Sequence, residues 1–179
     1  MSIVTESILI KRASDFESAV CININRLCQR FYLNSFFKVI SRLGDGIIWY
    51  ALTLLLPVVM GRTAIYVSIK MTVSALIGLA IYKIIKHQTE RPRPYTVIHN
   101  LVLGTSPLDK YSFPSGHTLH AVSFSYIAIF YYPELFWPLV PLAALIAISR
   151  ITLGLHYPTD VIAGAGIGYV SARTITSVL

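Results

Sequence analysis

Charge is scarce in this sequence, and acidic charge is scarcer still. Of its 179 residues, 13% are charged and 55% are hydrophobic, and the 8 Asp and Glu are outnumbered by 15 Lys and Arg. A chain with so few charges is too apolar for an ordinary soluble domain, and its length suits one compact unit. We therefore expect a single membrane domain over residues 1–179.

Cysteine is also rare, and other familiar signals are missing. Cys21 and Cys28 are about 10 Å apart along a helix, which is too far for a disulfide within that helix. The opening stretch, MSIVTESILIKRASDFE, lacks the apolar core and the small-residue cleavage site of a signal peptide, so we expect no removable leader. We find no internal repeat and no long linker that would divide the chain.

The net charge of +7 raises the question of a nucleic-acid partner. The Lys and Arg residues, however, lie among apolar segments and do not form a solvated basic patch with interleaved aromatic residues. Anionic lipid or a phosphorylated substrate is the better match. The partners that we expect are therefore the bilayer and a phosphorylated lipid, with no nucleic acid and no obligate protein partner.

Long apolar runs predict an all-α protein, a polytopic membrane bundle of about five transmembrane helices. The candidate segments are Gly46–Gly61, Thr63–Lys86, Ser115–Tyr132, Glu134–Arg150 and Pro158–Leu179. At about 1.5 Å per residue, most of them approach the hydrocarbon thickness of about 30 Å. Residues 46–179 therefore form the predicted transmembrane core.

The N-terminal segment, residues 1–44, is predicted to stay out of the hydrocarbon. Its most apolar part, Ala19–Phe37, contains Arg26 and Arg30, and each arginine at the centre of a span would cost about 3 kcal/mol. Apolar side chains recur there at helical spacing, at Val20, Ile24, Leu27 and Phe31. This pattern predicts an amphipathic helix in the membrane interface, and a helix packed along the bundle fits it equally well.

Five crossings would bring the chemically capable residues to one face of the membrane. The second span ends near Lys86, and the third begins at the PSGH stretch, Pro114–His117. The fourth span ends at Arg150, and the fifth begins at Pro158. The end of one span and the start of the next lie on the same side of the membrane, and two further crossings return the chain to that side. All four positions therefore lie on one face.

Two helix starts and three cations on that face favour a phosphate ligand. PSGH places Ser115 and Gly116 at a helix N-terminus, where free backbone N–H groups bind anions. Pro158 suits the first turn of the next helix, which begins beside His156. Fixed positive charge comes from Lys86, Arg93 and Arg150.

Two histidines complete a scheme for phosphoryl transfer. His156 and Asp160 are four residues apart, so the carboxylate can hold one ring nitrogen while the other attacks phosphorus. His117, at the other helix start, can protonate the leaving oxygen. Taken singly, each of these residues has an ordinary role as a helix cap or a membrane anchor. A metal site that includes His120 is disfavoured, because the neighbouring cations would repel a divalent ion.

Three motifs occur in order along the chain. They are Lys86 with Arg93-Pro94 after six intervening residues, then Pro114-Ser115-Gly116-His117, then Ser149-Arg150 with His156 and Asp160. Over residues 86–160 they resemble the full signature of the type 2 phosphatidic acid phosphatase family, whose superfamily includes bacterial acid phosphatases and vanadium haloperoxidases. Many membrane members of that family are six-spanning, whereas the apolar segments here predict five spans and an interfacial helix.

The resemblance implies a role for each of eight residues. His156 would be the nucleophile that forms a phosphohistidine, Asp160 would orient it, and His117 would be the general acid that then helps to activate water. The phosphate oxygens would be held by Lys86, Arg93, Ser115, Gly116 and Arg150. No metal ion and no other cofactor is implied.

The implied function is hydrolysis of a phosphate monoester or diphosphate of a lipid. Undecaprenyl diphosphate, phosphatidic acid, phosphatidylglycerol phosphate and lipid A phosphate are the candidate substrates. Two alternatives stay open: a membrane protein that binds phosphate without turning it over, and a vanadate-dependent haloperoxidase. The apolar spans argue against the second, because the haloperoxidases of this superfamily are soluble.

The resemblance and the charge distribution disagree about the side that the site faces. Membrane members of the family usually present the site to the periplasm or lumen. All but three of the 15 Lys and Arg residues lie on the side of the site, which would make that side cytoplasmic. Phosphate and headgroup binding account for several of these cations. We therefore expect a multi-pass protein of the bacterial inner membrane with a periplasmic site.

Overall fold

The computed structural model describes the backbone of residues 2–178 and the side chains of residues 11–178. Within that range all regular secondary structure is helical, which confirms the predicted all-α class. The α-helices are α1 (Ser2–Arg30), α2 (Asn34–Leu43), α3 (Ile47–Met60), α4 (Ala64–Thr89), α5 (Pro94–Val97), α6 (Gly116–Tyr131), α7 (Phe136–Thr152) and α8 (Pro158–Val178). A 3-10 turn, Pro133–Leu135, precedes α7.

Helix α6 lies at the centre of the bundle and packs against α3, α4, α7 and α8. Its most extensive contact is with α8, where glycines let the two backbones touch. A Cβ atom on Gly164 would lie 2.3 Å from the carbonyl oxygen of Ser115, and one on Gly168 would lie 2.3 Å from that of Leu119. Small residues four apart are a common means of close helix packing in membranes. The contact sets the two helix starts side by side, and the Ser115 amide donates to the Asp160 carbonyl oxygen at 2.9 Å.

The interior of the bundle and much of its outer surface are apolar. Inside, Trp49 of α3 stacks on Phe124 of α6 with 5.5 Å between ring centroids. Outside, the exposed fraction is 73% for Leu54 and 77% for Val58 on α3, and 74% for Tyr66 on α4. Apolar surface of this extent is typical of a lipid-facing protein.

Length and hydropathy support fewer spans than the five predicted. Two helical stretches of the described chain, Ala64–Val97 and Pro133–Thr152, are long and apolar enough to cross a membrane, and the pair α2 and α3, bent by 48°, would add a third. Helices α3, α6 and α8 each begin within one residue of a predicted segment. However, the 16 residues of α6 extend only about 24 Å, which is less than the hydrocarbon thickness.

Helix α1 packs along the bundle against α7 and α8, the second of the two arrangements that the sequence allows. The stripe that faces the protein consists of buried polar and cysteine side chains: Glu17, Cys21, Asn25 and Cys28. Nδ2 of Asn25 fastens the helix by donating to the carbonyl oxygens of Val102 and Thr152, at 2.9 and 2.8 Å. Of the neighbouring apolar stripe, Val20 and Ile24 are half-buried, whereas Leu27 is 52% and Phe31 is 62% exposed.

Candidate active site

A pocket of about 190 Å³ opens where α4 and α7 end and where α6 and α8 begin. Six of the eight predicted site residues line this phosphate pocket: Lys86, Arg93, Gly116, His117, Arg150 and His156. The other two, Ser115 and Asp160, are completely buried and are joined to each other through the Ser115 amide. The structure therefore brings together all eight predicted site residues.

Three cations of the phosphate pocket are held by helix ends and are almost completely buried. Lys86 lies in the last turn of α4, Arg93 precedes α5, and Arg150 lies in the last turn of α7. Their exposed fractions are 7%, 2% and 3%. Arg150 also donates to the hydroxyl oxygen of Ser41 in α2. Buried positive charges are costly unless an anion balances them, so this pocket is suited to a phosphate.

His156 lies in the turn between α7 and α8 and is 2% exposed. Its Nε2 is 3.3 Å from Nη1 of Arg93, which donates to the Leu155 carbonyl oxygen at 2.8 Å. Burial lowers the pKa of His156 well below its usual 6.5, and the charges of Arg150, Arg93 and Lys86 lower it further. The imidazole is therefore neutral at physiological pH, the state in which a ring nitrogen can act as a nucleophile.

Asp160 lies beside His156, as the spacing predicts, but the two side chains are not hydrogen-bonded. Oδ2 of Asp160 is 3.7 Å from Nδ1 of His156, which is beyond hydrogen-bonding range. The carboxylate instead accepts from the Tyr157 amide at 2.8 Å and from Nη1 of Arg91 at 2.6 Å. Catalytic hydrogen bonds often tighten only in the substrate complex, so this geometry is compatible with an orienting role.

His117, in the first turn of α6, has a carboxylate partner that the sequence analysis did not identify. Its Nε2 is hydrogen-bonded to Oδ1 of Asp45, in the turn between α2 and α3. Burial alone would raise the pKa of Asp45, but the hydrogen bond and charge of His117 lower it, and so do the charges of Arg150 and Arg42. Asp45 is therefore a negatively charged partner that holds the His117 ring at the pocket.

Ser115 and Gly116 begin α6 as predicted, but the Ser115 side chain does not cap the helix backbone. Its hydroxyl oxygen instead lies 3.0 Å from Oγ1 of Thr118. Gly116 faces the Tyr82 ring, and a Cβ atom at position 116 would lie 3.0 Å from it. A larger residue there would crowd the ring, so glycine keeps this wall of the pocket open.

A second unpredicted carboxylate, Asp109, joins the cations from the irregular segment between α5 and α6. It accepts from Nζ of Lys86 at 2.7 Å, from Nη2 of Arg93 at 2.7 Å and from the Tyr82 hydroxyl at 2.5 Å. Burial alone would raise the pKa of Asp109, but hydrogen bonds from Lys86, Tyr82 and Arg93 lower it to about 2. Asp109 thus places a full negative charge on two cations that the motifs assign to phosphate.

Arg91 and Glu17 also belong to this region and were not predicted. Arg91 contacts Asp160 through Nη1, and its Nη2 donates to Oε2 of Glu17 at 2.7 Å. Acidic residues number only 8 in this chain, so each one was a candidate partner for a buried cation. That scarcity is the signal that could have pointed to Glu17, Asp45 and Asp109.

His120 lines the same pocket, one helical turn after His117. Over the side chains that the structure describes, no group of three or more His, Cys, Asp or Glu is arranged to hold a metal ion. The charged group nearest Nε2 of His156 is Arg93, at 3.3 Å, and a cation there suits an anionic ligand.

Two curated relatives share sequence similarity over most of this chain. The undecaprenyl-diphosphatase of Sulfolobus acidocaldarius is 30% identical over 145 residues, which cover 80% of this chain and 68% of the relative. The undecaprenyl-diphosphatase BcrC of Bacillus subtilis is 34% identical over 124 residues, which cover 65% of this chain and 61% of the relative. The chain thus spans about two thirds of the length of these relatives.

Two solved structures share the fold. The transmembrane PAP2-type phosphatidylglycerolphosphate phosphatase of Bacillus subtilis superposes with a TM-score of 0.78 at 22% identity, over 98% of this chain and 90% of that chain. LpxE of Aquifex aeolicus superposes with a TM-score of 0.71 at 26% identity, over 82% of this chain and 86% of that chain. The model of the PAP2 superfamily matches residues 67–179, a range that contains all three motifs. Because motifs, sequence similarity and fold agree, the chain belongs to the PAP2 superfamily.

Proposed function

We propose that this chain removes phosphate from a lipid phosphate or diphosphate through a phosphohistidine at His156, with no metal ion. Its class, a membrane hydrolase of lipid phosphates, follows from its family and its relatives. The main support for this mechanism is the phosphate pocket, in which a buried neutral imidazole lies among three buried cations.

The reaction is proposed to take two steps. First, Nε2 of His156 attacks phosphorus, the bond from phosphorus to the leaving oxygen breaks, and His117 gives that oxygen its proton. Second, water attacks phosphorus, His117 takes a proton from the water, and the phosphorus–nitrogen bond breaks to release inorganic phosphate. Lys86, Arg93 and Arg150 offset the charge of the transferred group in both steps, and losing one such donor typically costs about 3 kcal/mol.

Three further residues have supporting roles in this proposal. Asp160 faces the far ring nitrogen of His156 and is proposed to orient the ring and to balance its charge after attack. Ser115 and Gly116 begin α6 beside the cations, where backbone N–H groups of the first turn can add donors to phosphate oxygens.

An apolar groove next to the phosphate pocket supports a lipid substrate. The groove has a volume of about 250 Å³ and lies between α3 and α4 against α6. It shares four lining residues with the pocket: Gly44, Asp45, Leu79 and His120. Its remaining walls include Trp49, Leu76 and Phe124. A lipid whose phosphate entered the pocket would leave the start of its hydrocarbon chain in this groove.

Undecaprenyl diphosphate is the leading candidate substrate, because two relatives are named as undecaprenyl-diphosphatases. Phosphatidic acid, phosphatidylglycerol phosphate and lipid A phosphate remain the other candidates. Leu108 and Asp109 of the irregular segment between α5 and α6 line the pocket, and we propose that a headgroup would meet this segment.

We also propose that α3, α4, α6, α7 and α8 all cross the membrane and that the pocket faces the periplasm of a bacterial inner membrane. All five helices begin or end at the pocket, which requires them to run in alternate directions. We further propose that α1, while packed on α7 and α8, lies at the level of the membrane interface, with the exposed Leu27 and Phe31 in contact with lipid.

Phosphate release from purified protein in detergent, over a panel of lipid phosphates and with a chelator present, tests the proposed function. We expect hydrolysis to survive the chelator and His156→Ala to lose at least about a thousandfold in kcat. Activity that requires an added divalent metal would contradict the histidine mechanism, as would a His156→Ala variant as active as its parent.

The same preparation separates the two alternatives. A phosphate-binding protein without activity would bind lipid phosphate but release no inorganic phosphate. A haloperoxidase would oxidise halide once vanadate and peroxide were supplied. We expect phosphate release and no halide oxidation.

A further inference from the structure

Glu17 of α1 contacts Thr159 and Arg91, which lie close to the proposed nucleophile. It is 8% exposed, and its Oε1 accepts from both the amide and the hydroxyl of Thr159, at 3.0 and 2.5 Å. Its Oε2 accepts from Nη2 of Arg91 at 2.7 Å. Glu17 lies outside residues 67–179, which match the family model, so the three motifs do not include it.

The contacts continue from Arg91 to the catalytic histidine. Nη1 of Arg91 donates to Oδ1 of Asp160 at 2.6 Å, while Oδ2 of the same carboxylate faces Nδ1 of His156 at 3.7 Å. The Arg91 guanidinium also lies 4.1 Å from the centre of the Tyr157 ring, a cation–π contact. Glu17, Arg91, Asp160 and His156 therefore form one continuous chain of contacts, which we name the Glu17 relay.

The charges in the Glu17 relay determine the net charge that lies beside the imidazole of His156. Arg91 stays protonated, so Arg91 and Asp160 alone would make a neutral pair. Glu17 supplies a second carboxylate to the same guanidinium, and the three side chains together carry a net negative charge. That charge lies on the Nδ1 side of the ring, whereas Arg93 lies at Nε2.

We propose that Glu17 is a positioning residue for the nucleophile, which acts through Arg91 to keep Asp160 in place and the region behind His156 negative. The inference rests on the proposed function. When Nε2 bonds to phosphorus, Nδ1 keeps its proton and the ring becomes positively charged. A net negative charge close to Nδ1 stabilises that state more than the neutral ring before attack.

This role has a kinetic signature that a merely structural role lacks. Of the three phosphate-pocket cations, Arg93 meets the relay at Nε2 of His156, and none is hydrogen-bonded to Glu17, Arg91 or Asp160. We therefore expect ground-state binding of phosphate not to depend on Glu17. Loss of the Glu17 charge is therefore expected to lower kcat and to leave KM unchanged. A change that only loosened the fold would reduce the amount of active protein and would weaken phosphate binding as well.

The test substitution is Glu17→Gln, which keeps an oxygen to accept from Thr159 but removes the charge and replaces the oxygen that accepts from Arg91 with an NH2 group. Asp15→Asn is the matched control, since Asp15 is exposed on the same helix. We expect Glu17→Gln to lower kcat at least about fivefold, with KM and inhibition by inorganic phosphate within about twofold of the parent. Asp15→Asn is expected to match the parent in all three.

A double-mutant cycle with Arg91→Gln shows whether Glu17 acts through Arg91. If it does, adding Glu17→Gln to Arg91→Gln changes kcat by less than about twofold, whereas independent effects would multiply. Should Glu17→Gln release α1, Arg91→Lys tests the same relay, because a lysine cannot bind both carboxylates as the guanidinium fork does. It is expected to lower kcat with KM retained.

Different results would overturn the role of Glu17 and the proposed function. If the unmodified protein released no phosphate from any lipid phosphate, the proposed function would be wrong and the relay would have nothing to position. If the unmodified protein were active and Glu17→Gln kept its kcat, only the role of Glu17 would be overturned. Effects of Glu17→Gln and Arg91→Gln that multiply would overturn it too.

Discussion

At the scale of single residues, His156 is set apart by a buried ring in positively charged surroundings. Both burial and the nearby cations lower its pKa below 6.5, so the reactive neutral form persists as the pH falls through 6.5. We therefore expect the acid-side inflection of kcat/KM that belongs to the nucleophile to lie below pH 6.5.

The pH profile of kcat/KM is measured with two substrates whose phosphates ionise at different pH. The comparison distinguishes ionisation of the enzyme from ionisation of the substrate. The inflection shared by both substrates is the one to assign to the protein. A shared acid-side inflection at or above pH 7, where an unperturbed histidine would already be mostly neutral, would contradict the predicted direction of the shift.

In the proposed mechanism, Asp109 competes with an incoming phosphate for two cations. It binds Lys86 and Arg93, and its pKa of about 2 keeps it ionised at any pH suitable for an assay. Asp109→Asn removes the competing charge and keeps an oxygen acceptor. We expect inhibition by inorganic phosphate to tighten by about two- to fivefold, the range for a partly exposed ion pair.

The exposed Glu134, in the 3-10 turn between α6 and α7, supplies a control for this prediction, because Glu134→Gln removes the same charge at the end of the bundle away from the pocket. Glu134→Gln should leave inhibition by phosphate unchanged. Weaker inhibition in Asp109→Asn would mean that Asp109 holds the cations in place for phosphate and does not compete with it.

At the scale of helices, the site depends on how closely α8 approaches α6. Gly164 has no room for a side chain, because its Cβ atom would lie 2.3 Å from the Ser115 carbonyl oxygen. Gly164→Ala would push Ser115 and the start of α6 away from Asp160. We expect this substitution to destabilise the protein by about 1–3 kcal/mol or more and to lower activity.

Gly166 offers a matched control on the same helix, since a Cβ atom there would meet no atom within 4 Å. Gly166→Ala should keep full activity and the unfolding temperature of the parent, or raise it slightly through better helix propensity. Thermal unfolding and phosphate release in the same detergent compare the two variants. Equal unfolding temperatures and equal activities of the two variants would contradict the claim that the site depends on the close α6–α8 contact.

The helices that carry the motifs could be predicted from the sequence, because apolar runs and helix-start signals are local. PSGH marks the start of α6 and Pro158 marks the start of α8, and both helices begin there. Once those ends are placed, the phosphate pocket follows from the connectivity of the chain. The PAP2 motifs then identify its residues, so most of the pocket was predictable.

The carboxylates around the pocket could not be predicted, because their partners are distant in sequence. Glu17 contacts Thr159 across 142 residues, and Asp45 contacts His117 across 72. Asp109 lies in an irregular segment with no periodic pattern to place it. The apolar stripe of α1 was recognised, but the neighbouring stripe is the one that packs on the protein, and only tertiary structure distinguishes the two.

At the scale of the whole molecule, the phosphate pocket lies beside a groove that is lined by apolar side chains. This arrangement suits a substrate with one charged and one hydrocarbon end. With five spans and a periplasmic pocket, the end of α8 would be cytoplasmic. We expect reporters fused after Leu179 to be active only if they work in the cytoplasm.

A fusion after Glu90, at the end of α4, is the opposite-side control, and we expect it to be exported. An exported reporter after Leu179 would reverse the orientation. Matching sides for the two fusions would contradict the count of five spans.

The covalent intermediate is the most direct test of the central claim. The protein is mixed with a lipid phosphate labelled in its terminal phosphate, stopped within one turnover, and digested under alkaline conditions that preserve phosphohistidine. We predict label on the peptide that contains His156, and none in His156→Ala. Hydrolysis that proceeds at full rate with no labelled protein, or with label on another residue, would contradict the account.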